Sequence, residues 1–388
     1  MRSKTKVAAG VLAGAVAAAA VLTAGINHKA TYAVFKNLTA RKLKLDENAP
    51  WSGGRIYEHL PYAGDSESQY LDLYIPNIGQ DLEQDPEQDS RQDTKPGFEK
   101  PGLFVMVHGG GFIAGDSQSR QSILMYRYFR DHGYACASIN YRLAQEAPFP
   151  AGVEDVKAAV RFLQSHADEY GYDASRTAIW GESAGGYLAM TEAFSNENEF
   201  MGVRYRGQDE DDAAGKFYAG EAAILIDYYG AADLGTIWTS DSDWKALEIP
   251  QIVIDIANSW IDKKVLEGYS SVEAYWMRRE FSDMSEEDRK AFDPHYFLDE
   301  NLSSEKGPAV MIVHGDCDIT VPYLQSQRLY DHLIRVIGGD RTQFLLIYGE
   351  GHATDMLYSD DVLAKVDAFI QSHWKTVHAR KMSIHERP

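Results

Sequence analysis

Between residues 103 and 349, short continuous apolar runs alternate with stretches patterned as helices. The runs are "LFVMVHG" (103–109), "YACASINYR" (134–142), "TAIWG" (177–181), "AAILIDYYG" (222–230), "PAVMIVHG" (308–315) and "TQFLLIYG" (342–349). Each is of strand length and has no polar face, which predicts strands buried on both sides. The stretches at 117–133, 153–171, 183–194 and 322–337 carry helix spacing. Val156, Val160 and Leu163 illustrate it, and Gly133 and Gly171 serve as stops. A last helix follows Ser359, with Asp360 and Asp361 in its first turn and Val362, Val366, Phe369 and Ile370 on one face. Strands buried on both faces and joined by helices imply an α/β fold: a mostly parallel sheet with helices on either side. In such sheets ligands sit beyond the carboxyl ends of the strands, so the loops following these runs are where chemistry is to be sought.

The remaining segments are less regular. "QYLDLYIP" (69–76) alternates apolar and polar residues and reads as a strand. Residues 77–100 repeat Gln-Asp units, are poor in apolar side chains and read as a solvated loop. Residues 26–50 form a lead-in with mixed helical signals. The interval 231–304 breaks the rhythm and holds Trp238, Trp244, Trp260 and Trp276, four of the seven tryptophans. It reads as a cap inserted between two core strands, with helical stretches at "IPQIVIDIANSW" and "SVEAYWMRREF" and a charged loop around 285–290. Its tryptophans either line a cleft or form the cap's own core. The core domain is then 51–230 plus 305–388.

Arg2, Lys4 and Lys6 precede an uncharged, alanine-rich stretch at 7–25. Residues 1–25 thus have the layout of a signal peptide or signal anchor, which predicts an extracytoplasmic protein, secreted or tethered to the membrane through that segment alone. A net charge of −20 argues against nucleic acid or an anionic membrane surface as the main partner. Cys136 and Cys317 are expected as buried free thiols, and neither has the Cys or His neighbours that zinc needs.

"IWGESAGGYLAM" (179–190) places Ser183 directly after a strand and before a helix, with Gly181 and Gly185 two residues to either side. Strand–turn–helix is the context in which a G-x-S-x-G pentapeptide forms a nucleophile elbow. A serine there needs a base for its proton and donors for the oxyanion. "VHGGGFIAG" supplies consecutive backbone N–H groups after the strand at 103–107: Gly110 and Gly111 are the expected donors, with Ala184 N–H as the third. His108 is expected to brace this loop, not to do chemistry. Of the twelve histidines, His352 in "YGEGHAT" sits at a carboxyl strand end and is the expected base. His314 lies at another strand end, whereas His373 and His378 fall in or after the last helix. The loop "HGDCDITVP" offers Asp316 or Asp318 to orient the imidazole.

With these blocks in place, the chain resembles the α/β-hydrolase superfamily, esterase/lipase branch, which includes hormone-sensitive-lipase-like carboxylesterases and acetyl or feruloyl esterases. The resemblance rests on "HGGGF" (108–112), "NYRLAQEAPFPAGVEDVKAAVRFL" (140–163), "WGESAGG" (180–186), "HGDCDITVP" (314–322) and "GEGHA" (349–353). It implies that Asp318 is the acid and Asp316 a neighbour. It also implies Gly110, Gly111 and Ala184 as the oxyanion hole, with His108, Gly109, Gly181, Glu182 and Gly185 as supporting motif residues. The implied activity is hydrolysis of short-chain acyl esters through an acyl-enzyme, with acetyl or feruloyl groups on polysaccharides among the candidate substrates and no metal or organic cofactor. A prolyl-oligopeptidase-like serine peptidase and a catalytically silent binding module are the rival implications.

Overall fold

The six rhythmic runs all become strands, and together with two more they form one eight-stranded sheet. In chain order these are β1 (Gly54–Pro61), β2 (Tyr70–Pro76), β3 (Gly102–Val107), β4 (Ala135–Ile139), β5 (Asp173–Glu182), β6 (Ile224–Tyr228), β7 (Ala309–Gly315) and β8 (Thr342–Ile347). The computed structural model describes residues 42–43, 54–77, 99–196, 198–208, 222–237, 241–247 and 264–385. The strand order is β1-β2-β4-β3-β5-β6-β7-β8. β1 and β2 pair antiparallel, as do β2 and β4, and every other pair is parallel.

Burial explains why the inner strands read as continuous apolar runs, whereas β8, expected to be buried on both sides, is an edge strand left mostly half-exposed. Leu103, Val105 and Val107 of β3 feed a core on one face of the sheet, while Phe104 and Met106 feed a second core on the other. Both sets are at most 1 % exposed, and each such side chain stabilises the fold by about 1.5–3 kcal/mol relative to an exposed one. β1 was not expected from the sequence. It is a half-exposed edge strand whose register shifts between Tyr57 and Leu60, with His59 at φ 53, so no clean alternation marks it.

The helices follow their expected positions with small differences. Arg120–Asp131 is capped by Ser119, whose side chain accepts from Ser122 N–H, and Gly133 at φ 82 ends it. The single helix expected over 153–171 is two, Ala151–Ser165 and Ala167–Tyr170, broken at His166 and stopped by Gly171 at φ 89. Ala184–Phe194 is buried along its whole length, which accounts for its lack of a polar face. The charged loop expected around 285–290 is instead a helix, Glu286–Lys290, started by a reciprocal capping box between Ser285 and Asp288.

Within the 231–304 interval the described helices are Asp241–Ala246, Val272–Met277, Glu286–Lys290 and Pro294–Asn301, with a 3₁₀ turn at Phe281–Asp283. The interval is tied to the sheet's helices: Tyr187 Oη donates to Phe292 O at 2.7 Å, and Asn301 Nδ2 donates to Phe194 O at 3.1 Å. The expected helix over "IPQIVIDIANSW", together with Trp238, Trp260, the N-terminal segment 1–25 and most of 26–50 and 77–100, lies outside the described residues. Among the described residues no helix is long and apolar enough to cross a membrane. Cys136 and Cys317 are both buried and form no disulfide.

One short piece of the lead-in is described, and it is held firmly. Arg120 Nε donates to Asp355 Oδ1 at 3.0 Å and its Nη2 pairs with Asp355 Oδ2. The same Nη2 donates to Leu43 O at 2.7 Å, and Leu43 N–H donates to Asp355 Oδ2. Leu43 is thereby clamped between the start of one helix and the 3₁₀ turn Asp355–Tyr358.

Candidate active site

Ser183 forms the corner between β5 and the helix Ala184–Phe194, with φ 52 and ψ −120. A non-glycine residue held there stores of order 1–3 kcal/mol of strain, and its surroundings show what holds it. A Cβ on Gly181 would lie 2.1 Å from Gly185 O, and a Cβ on Gly185 would lie 2.2 Å from Val107 O and 2.4 Å from His108 O. The spacing Gly-x-Ser-x-Gly is therefore a packing requirement of the turn. Ser183 N–H donates to Tyr228 O at 2.9 Å, pinning the corner to β6.

His352 reaches this serine from the loop after β8. Its Nε2 is 3.0 Å from Ser183 Oγ, and its Nδ1 is 2.6 Å from Asp318 Oδ2. The Asp318 side chain is fully buried and that of His352 keeps 16 % exposure. Asp318 comes from the loop after β7, where its Oδ1 accepts from Thr320 N–H at 2.7 Å and Val321 N–H at 2.9 Å. His314 adds a fourth partner, its Nε2 lying 3.1 Å from Asp318 Oδ2 and its Nδ1 2.8 Å from Ser326 Oγ. Burial works against an ionised Asp318, but His352 and His314 outweigh it and hold the carboxyl well below its usual range. Burial likewise works against a charged His352, yet the adjoining Asp318 carboxylate raises its pKa above the ordinary histidine value. Asp316 points elsewhere: its Oδ1 accepts from Gly349 N–H at 2.6 Å, stitching the acid loop to the histidine loop.

Gly110 and Gly111 adopt φ 115 and 61, and Phe112 follows at φ 62. With Gly109, Ser183, Ala184 and His352 they line one cavity of about 290 Å³. Ala184 is the first residue of its helix, so its N–H has no intrahelical partner. His108 is 1 % exposed, stacks on Tyr141 at 4.4 Å, and its Nδ1–H donates to Gly109 O at 2.7 Å. Burial pushes its pKa down to about 4, so it stays neutral and braces the loop. The cavity wall is completed by small and apolar residues, including Ala231, Ile237, Val272 and Val321. Trp276 is not on this wall. It is buried and stacked face to face on Phe112 at 3.9 Å, docking the 231–304 interval onto the glycine loop, while buried Trp244 donates its Nε1–H to Ile237 O.

Sequence reasoning did not find two residues behind His352. Tyr229 and Tyr358 both donate to Glu182 Oε2, at 2.6 and 3.1 Å, and their hydroxyls touch each other. Burial raises the Glu182 carboxyl above its usual range, and these donors work against that rise. Among the described residues no group of three or more His, Cys, Asp or Glu side chains is arranged to hold a metal ion.

The sequence model of one family, BD-FAE, matches residues 95–333, more than half of the chain. The chain belongs to the BD-FAE family. This BD-FAE chain is 23 % identical over 258 residues to esterase LipC of Mycobacterium tuberculosis, a match that covers 66 % of the chain and 53 % of LipC. The chain therefore spans about half the length of that relative. Among solved structures, a truncated form of carbohydrate esterase from gut microbiota superposes with TM-score 0.59 at 21 % identity, covering 83 % of this chain and 96 % of that one. A bifunctional GH43-CE of Bacteroides eggerthii superposes with TM-score 0.60 at 20 % identity, covering 82 % and 35 %. The BD-FAE chain has the α/β-hydrolase fold, with a mixed, mostly parallel sheet and helices packed on it.

Proposed function

We propose that this BD-FAE chain is a serine carboxylic-ester hydrolase that works through an acyl-enzyme. The observation that carries the reading is the unbroken relay from Ser183 Oγ through His352 to Asp318, at 3.0 and 2.6 Å. His352 Nε2 takes the Ser183 proton as Oγ attacks the ester carbonyl. The oxyanion settles on the N–H groups of Gly110, Gly111 and Ala184. The imidazolium, held by Asp318, gives its proton to the departing alcohol, and a water then repeats the sequence to release the acid.

The small apolar wall of Ala231, Ile237, Val272 and Val321 suits a short acyl chain. The likeness to a protein named a carbohydrate esterase supports acetyl or feruloyl groups on polysaccharides as the substrates. In this reading residues 51–230 and 305–388 are the catalytic core and 231–304 caps it. Residues 1–25 export the protein or tether it to a membrane.

Ser183→Ala should abolish p-nitrophenyl acetate hydrolysis and labelling by a fluorophosphonate probe while the far-ultraviolet circular dichroism is unchanged. Near-parent turnover by that variant refutes the reading. An acyl-chain-length series run beside acetyl-xylan and methyl ferulate sets the substrate class. A rate that rises steadily with chain length would overturn the short-chain assignment.

A further inference from the structure

Glu182 stands immediately before the nucleophile, at the wall of the cavity, and is 4 % exposed. Its oxygens gather three separate elements. Oε1 accepts from Gly109 N–H at 3.4 Å, on the glycine loop. Oε2 accepts from Tyr229, just past β6, at 2.6 Å and from Tyr358, on the 3₁₀ turn after His352, at 3.1 Å. The Tyr229 ring then meets the His352 imidazole edge to face, with centroids 4.7 Å apart.

We propose that Glu182 is a positioning residue for the ester hydrolysis. Its carboxylate, through Tyr229 and Tyr358, holds the His352 imidazole and the glycine loop in register with Ser183, and its negative charge favours the imidazolium that forms during the reaction. The inference rests on the esterase reading above.

Two physical consequences separate this role from plain packing. Loops after β3, β6 and β8 would drift independently if each were tied only to its own strand, and a shared acceptor removes that freedom before substrate arrives. Glu182 is also a second negative charge acting on His352 beside Asp318, and both favour the protonated ring. The titratable groups facing Glu182 are Tyr229, Tyr358, Tyr141 and His352. Those facing His352 are Asp318, Glu182 and Tyr229. With the tyrosines neutral at working pH, removal of the Glu182 charge should lower the pKa of His352 and leave the ring's partners in place.

The test is Glu182→Gln, which keeps the length and an acceptor oxygen but removes the charge. With p-nitrophenyl acetate, kcat should fall about tenfold or more while KM stays within about twofold, because the loss falls on the transition state. The acid limb of the kcat/KM profile should move to lower pH. Glu182→Asp keeps the charge but falls short of the tyrosines, so it should lose kcat while restoring the limb toward the parent position. If the Gln variant does not fold, Tyr358→Phe replaces it, with a severalfold loss in kcat at unchanged KM expected. A folded Gln variant with the parent's kcat, or with an unmoved acid limb, overturns the proposal. So does a Tyr358→Phe protein with parent kcat. A parent protein that turns over no ester sinks the esterase reading itself, a different result from any of these.

Discussion

Replacing Asp227 by asparagine should change how stability depends on pH. Asp227 sits in β6, is 0 % exposed, accepts one bond from Gly230 N–H at 3.0 Å on Oδ1, and has no partner for Oδ2 among the described residues. Burial raises its pKa from 3.8 to about 7. A carboxyl whose folded pKa is raised is comfortable in the fold while protonated. Its contribution is fully present below the unfolded pKa and is lost as pH rises through the folded value. The gap of about 3 units, at about 1.4 kcal/mol each, corresponds to about 4 kcal/mol. Asparagine does not titrate, and its carbonyl oxygen still accepts from Gly230. Its buried amide costs about 1–3 kcal/mol if unpaired, at every pH alike. The difference in unfolding free energy between Asp227→Asn and parent should therefore climb in favour of the variant by about 4 kcal/mol between pH 4 and pH 8. Urea unfolding of both proteins at half-unit pH steps measures it, with unchanged m-values confirming that the two transitions are comparable. A difference that stays flat across that window would refute the reasoning, because it would mean that Asp227 titrates alike in the folded and unfolded chain.

Three more tests bear on the site. Because Asp318 raises the His352 pKa, and a protonated ring cannot accept the serine proton, kcat/KM should rise with pH through a midpoint above about 6.5; a midpoint well below that value would contradict the assigned pair. Asp318→Asn should cost about 10³–10⁴ in kcat, whereas Asp316→Asn, whose amide oxygen can still accept from Gly349 N–H, should cost far less, and equal losses would mean that the acid is misassigned. Gly185→Ala brings a methyl to 2.2 Å from Val107 O, so melting temperature and fluorophosphonate labelling should both drop, and an unchanged protein would show that the turn has slack.

The sheet was legible in the sequence wherever both faces of a strand are buried, because β3 then carries no polar residue to blur its limits and β7 carries none before His314 at its end. β1 was not, since a half-exposed edge with a register shift between Tyr57 and Leu60 presents no period. Ser183 and the glycines around it could be read because the turn's steric demands act within five residues. The residues of one loop left Asp316 and Asp318 both open, the family resemblance implied Asp318, and the fold brings the Asp318 carboxylate to His352. Tyr229 and Tyr358 were invisible for a different reason. They lie 47 and 176 positions from Glu182, and nothing local distinguishes a tyrosine that braces a histidine from one that fills a core. Trp276 posed the same ambiguity, which its stacking on Phe112 resolves in favour of packing.

The clamp that Arg120 and Asp355 close on Leu43 sets a limit on reach. Gln121, next along from Arg120, lines the cavity at Ser183, as does Ala353, two residues before Asp355, so Leu43 is pinned beside that cavity. From position 25 to position 43 the chain can stretch at most about 65 Å. On the proposed reading that residues 1–25 tether the protein, that length bounds how far Leu43 can stand from the tether, and lengthening or shortening the stretch would change the reach without touching a single reacting atom.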